Sequence, residues 1–274
     1  MNSPLKIAIG FLVLFALYQL PEGSQHWLRN DYLFLGLMLL MLLGAHMVAK
    51  WQGYSGLGAF GLRWHHGFGR NLLLGLVPGL LLPALAFWAC VALGITRIVA
   101  VPPLPALLTG AALFTLGTLA PSMAEDVLTR GYVQRHAGHL LTGAQFIVFT
   151  SVLYVLNHVY RLANGPTTWV FLLVVGVSLA LPVVLTRSLW YTVGMHWGMN
   201  IVYQLTNNVV QTEAVPGHPN ATWVLTGFIA LSIPVHLRLC RRLAATDADS
   251  TLRWKDAEPN QPSVTAASTA GSQR

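Results

Sequence analysis

The chain is 274 residues long, 54% apolar and only 9% charged, against roughly 25% charged in a typical soluble domain. So much apolar surface cannot be hidden in one water-soluble core of this size, and the mean hydropathy of +0.57 agrees, so the surrounding solvent is lipid. Disorder, a collagen-like repeat and a disulfide scaffold are also excluded: the composition is too apolar, no triplet glycine period occurs, and the two cysteines, Cys90 and Cys240, sit in apolar runs.

About 20 apolar residues cross a bilayer as a helix, and eight such runs are predicted, at 5–20, 32–49, 71–95, 104–123, 140–160, 168–186, 189–211 and 222–239. The expected fold is therefore all-α, a polytopic integral membrane protein of about eight transmembrane helices with the lipid bilayer as its partner. Lys6 before the first run resembles a signal peptide, but no small-x-small cleavage pattern follows at 21–25, so the run is kept as a span. The net charge of +7 comes from basic residues at the ends of apolar runs, not from clusters with aromatics, which argues against nucleic acid as a partner. With both termini cytoplasmic, 13 of the 16 basic residues fall inside and only Arg29, Arg97 and Arg161 outside, the bias of the positive-inside rule.

Residues 50–70 read as a Gly-rich, aromatic inner loop. Its Gly53-Tyr54-Ser55-Gly56 matches the short pattern of rhomboid serine proteases, but lies after Trp51 in a loop, so Ser55 is read as a turn residue. His65 and His66, beside Trp64, read as an interfacial loop. Pro78, Pro83, Pro121 and Pro182 mark kinks, with Pro121 placed to open the backbone beside Glu125. From about Ala244 the composition turns to Ser, Thr, Ala, Pro and Asp. The expected organisation is a transmembrane domain at 1–243, with its motif-bearing core at 104–211, and a disordered cytoplasmic tail at 244–274. No internal repeat supports a transporter.

Ionisable groups inside spans cost about 2.5 to 3.5 kcal/mol each on insertion scales, so each is a candidate site. Three segments stand out: Glu125-Asp126-Val127-Leu128-Thr129-Arg130, Tyr154 to His158, and His196-Trp197-Gly198-Met199-Asn200. Residues four apart share a helical face, so Asp126 can pair with Arg130, while Glu125 points elsewhere, has no built-in partner and is left for chemistry. His196 and Asn200 likewise project together. Glu125 and His158 come to similar heights if a helical hairpin turns near Leu141 and Thr142. That hairpin must protrude into the cytosol, with Arg130, Arg135, His136 and His139 outside the hydrocarbon and the last two solvated.

A carboxylate and an imidazole converging in a poorly hydrated pocket can hold a water and take its proton. A second histidine and an amide can donate to the oxygen of a tetrahedral intermediate, at roughly 3 kcal/mol per good donor. This combination fits amide hydrolysis. Glu125, His158 and His196 would also serve as a zinc set, although no HExxH occurs.

The three segments resemble the motifs of the CPBP family, intramembrane proteases related to type II CAAX prenyl endopeptidases, whose pattern is EExxxR, FxxxH and HxxxN on successive helices. Asp126 stands for the second Glu and Tyr154 for Phe, changes that keep the charge and the ring. The resemblance implies a glutamate-type endopeptidase with its site in the membrane and open to the cytosol. Glu125 and His158 would activate water, His196 and Asn200 would stabilise the oxyanion, and Arg130 would pair structurally with Asp126. It implies a peptide or protein substrate at the membrane, of CAAX type or another class; no metal and no cofactor are expected. With the compact size, it also points to a bacterial plasma membrane. A non-catalytic membrane binding or immunity protein and a zinc-dependent protease using the same residues are the competing expectations.

Overall fold

A computed structural model describes residues 3–247 apart from residue 66. Ten helices follow in chain order: α1 (Pro4–Leu28), α2 (Asp31–Trp51), α3 (Phe68–Ala92), α4 (Leu104–Gly117), α5 (Leu119–Asp126), α6 (Tyr132–Ala137), α7 (Gly143–Asn157), α8 (Pro166–Thr186), α9 (Trp190–Gln204) and α10 (Ala221–Asp247). Among the described residues, six helical runs are long and apolar enough to cross a membrane, one of them the continuous stretch Leu104–Ala137. The chain is an all-α, polytopic integral membrane protein. The predicted fifth and seventh runs form α7 and α9, at 15 residues each too short to join those six. Most of the expected tail, and His66, lie outside the described residues.

Local chemistry sets the breaks. Asn30 Oδ1 accepts from the Leu33 amide at 3.0 Å and starts α2 directly after α1. Pro121 has no N–H to give the Gly117 carbonyl, and the helix parts at Thr118 into α4 and α5. Thr142 and Gln145 form a capping box that opens α7, so the hairpin turns at 138–142 as its spacing predicts.

The tightest packing joins α3 to α9, which run parallel. A Cβ at Gly75 or Gly79 would overlap the carbonyl of Tyr191 or Met195, and one at Gly194 or Gly198 would overlap the backbone of Leu72 or Gly79. Two small-xxx-small pairs thus bring bare backbones together, the usual way helices approach where lipid removes the hydrophobic drive. At the far ends of these two helices, β1 (Thr96–Ala100) and β2 (Gln211–Ala214) pair antiparallel, with Arg97 bonded to Glu213 across the ladder.

The same close approach occurs at Gly131, whose missing Cβ leaves room for the Phe60 carbonyl and the Leu189 side chain. Gly131 is therefore level with the start of α9, and α6 runs on for six residues, about 9 Å further. The hairpin thus continues past the start of α9. Its residues are not all solvated, however: His136 is buried and meets Gln52 Oε1 at 3.0 Å, because residues 52–60 fold over α6. Arg130 is wholly enclosed by protein, while His139 is exposed as expected.

Candidate active site

Glu125 is the penultimate residue of α5, and both it and Asp126 are buried. A single π turn, Val127–Gly131, follows at once, the kind of local widening that recurs at functional sites. Across it Arg130 still reaches Asp126 Oδ1 at 2.7 Å, and its Nη1 also meets Thr129 Oγ1 at 3.0 Å. The guanidinium lies 4.7 Å from the Tyr154 ring centroid, so the buried cation has a carboxylate, a hydroxyl and a ring face around it.

The Glu125 carboxylate lies between two imidazoles. Oε1 is 3.6 Å from His158 Nδ1, and Oε2 is 3.5 Å from His196 Nε2. His158 caps α7 in a non-helical conformation, and its Nδ1 is 2.8 Å from the Tyr154 carbonyl. Since a carbonyl only accepts, Nδ1 carries the proton, which leaves Nε2 with the lone pair of the neutral ring. His196 Nδ1 faces Asp126 Oδ1 at 3.4 Å, so this ring bridges both acidic residues. Tyr154 packs edge-on against both imidazoles, at 4.7 Å and 6.1 Å between ring centres.

Asn200 Nδ2 donates to Ser122 Oγ at 3.0 Å, one turn before Glu125 on α5. Trp197 Nε1 reaches the Thr115 carbonyl at 2.7 Å and ties α9 to α4. Glu125, Asp126, Arg130, Tyr154, His158 and His196 thus come together, with Asn200 linked to the same helix through Ser122.

One expectation is corrected: Glu125 does have a built-in partner. Asn157 Nδ2 donates to Glu125 Oε1 at 3.1 Å, and Gln19 Nε2 on α1 in turn donates to Asn157, at 3.0 Å to its carbonyl and 3.1 Å to Oδ1. Asn157 adjoins His158 in sequence, where a polar residue in an apolar run is its only signal. Beyond α7, burial works against the Arg161 charge, but the Glu22 carboxylate, followed by Tyr203, Tyr18 and Glu125, holds its proton above the ordinary arginine range. Among the described residues, no set of three His, Cys, Asp or Glu side chains is arranged to hold a metal ion.

Residues 106–202 match the family described as Type II CAAX prenyl endopeptidase Rce1-like. That segment, about a third of the chain, is similar to the CAAX protease family. No curated protein and no solved structure matches it. The Rce1-like segment runs from α4 into α9 and holds every residue of the three motifs, whereas α1 to α3 and α10 lie outside it. The match supports, in general, a CAAX-type protease with a peptide or protein substrate, and the six apolar helices support a place for it in the membrane.

Proposed function

We propose that this Rce1-like protein is a glutamate-type intramembrane endopeptidase in which Glu125 and His158 activate the water that attacks the scissile carbonyl. The observation that carries this reading is the Glu125 carboxylate held within 3.6 Å of two imidazoles from separate helices. Water lodged against Glu125 and His158 Nε2 gives up a proton as its oxygen bonds to the carbonyl carbon. The carbonyl oxygen becomes an oxyanion, received by N–H donors of His196 and Asn200. As the C–N bond breaks, the proton taken from water passes to the leaving amine, and two peptide fragments result. Asp126, Arg130 and Tyr154 support this set, through the ion pair that holds the acidic motif and the ring between the imidazoles.

In this reading the transmembrane domain is 1–243, with its working core at 104–211, and the tail at 244–274 is cytoplasmic. Both termini face the cytoplasm of a bacterium whose plasma membrane holds the chain, as its basic residues favour, and cleavage takes place near that face. The substrate is a membrane-associated peptide, prenylated CAAX proteins being the first class to test. Peptide fragments compared between membranes carrying the native chain and its Glu125→Gln form test the activity and search for the substrate together. Fragments that depend on Glu125 are expected, and identical fragment sets would overturn the proposal.

A further inference from the structure

We infer that Gln19, on α1 and outside the Rce1-like segment, is a positioning residue that fixes the Asn157 amide so that its N–H group faces the Glu125 carboxylate. The inference deepens the reading of Glu125 as the base and rests on it only for its kinetic consequence.

The geometry runs in one direction. Helix α7 ends at Asn157, so the Asn157 carbonyl has no donor within its own helix. A main-chain carbonyl accepts and cannot be flipped, and Gln19 Nε2 lies 3.0 Å from it. That contact fixes which end of the Gln19 amide points at α7. The same nitrogen is 3.1 Å from the Asn157 side chain, which must therefore turn its oxygen toward α1. Its nitrogen is then left for Glu125 Oε1, at 3.1 Å. Reversing Asn157 would set its oxygen against a carboxylate oxygen and its N–H group against the Gln19 N–H, two repulsive contacts in place of two bonds. Gln19 Oε1 is buried and has no hydrogen-bond partner among the described residues, as expected of an amide retained for its donor end.

A donor reaching from α1 meets these requirements, and an acceptor or an apolar side chain does not. A glutamate at this position would place acceptors against both Asn157 oxygens and draw the amide N–H away from Glu125. A leucine or methionine would fill the space and leave Asn157 free to turn.

The test uses the full-length chain purified in detergent, with folding followed by thermal unfolding. Infrared difference spectra between the native protein and Glu125→Gln assign the Glu125 carboxylate band. In Gln19→Leu and Gln19→Met this band is expected to shift in the same sense as in Asn157→Ala, since each loses the ordered donor. On a fluorogenic farnesylated CAAX peptide, kcat should fall about tenfold, as for loss of one hydrogen bond to a charged group, with KM unchanged, and Gln19→Glu should fall further. The Gln19→Leu/Asn157→Ala double variant should be no slower than Asn157→Ala alone. A folded Gln19→Leu or Gln19→Met whose band stays in place, or additive losses in the double variant, would overturn the inference. Undiminished turnover in Glu125→Gln would instead remove the catalytic reading and leave the band shift intact.

Discussion

His196 Nε2 lies 3.5 Å from Glu125 Oε2, so the imidazole carried by α9 and the carboxylate carried by α5 meet at one point although they are distant in sequence. The contact sets what each perturbation of the site should do.

Glu125→Gln keeps the shape of the side chain and removes the carboxylate proposed as the base. Turnover is expected to fall between about a hundredfold and ten-thousandfold, the range general-base catalysis supplies, while the helical content and thermal midpoint stay close to native. A peptidase assay on purified protein, paired with circular dichroism, checks both at once.

Arg130 and Asp126 form an ion pair in which both side chains are fully buried. Removing one partner leaves an uncompensated charge, and Arg130→Leu or Asp126→Leu alone should cost about 3–5 kcal/mol of stability. Arg130→Lys should recover only part of this, because a point-like ammonium cannot bond Asp126 and Thr129 while lying flat on the Tyr154 ring. Denaturant unfolding in micelles measures the difference.

Gly79→Leu and Gly194→Leu each force a side chain into a facing carbonyl, and neither is expected to yield folded protein. Gly36→Leu and Gly227→Leu, where an added Cβ meets nothing within 4 Å, should express and unfold like the native chain. The folded fraction eluting as a single species from size exclusion is the measurement.

Turnover should survive dialysis against a strong chelator. The His158 nitrogen nearest Glu125, Nδ1, donates to the Tyr154 carbonyl at 2.8 Å and has no lone pair for a cation, so a metal shared with Glu125 would have to be taken by Nε2. Activity that disappears with the chelator and returns with zinc would favour the zinc-dependent reading.

The three polar motifs announce themselves in the sequence because charge in lipid is costly, and their residues do converge. The hairpin at 138–142 follows from the interval between Glu125 and His158 together with Thr142, a good cap. Asn157 and Gln19 escape the same reasoning because neutral amides cost less in a span, and the link between α1 and α7 has no sequence spacing. Gly75 and Gly79, with Gly194 and Gly198, do carry a readable four-residue interval, the available sign of the α3–α9 contact. The burial of His136 comes from residues 52–60 folding over α6, a long-range event that local polarity does not reveal.

The parallel seam of α3 and α9 has no side chains to slide or repack where their backbones touch. The mount of His196 thus behaves as a fixed frame. Helix α4, by contrast, buries none of its residues and is parted from α5 at Thr118, so nothing comparable locks it in place.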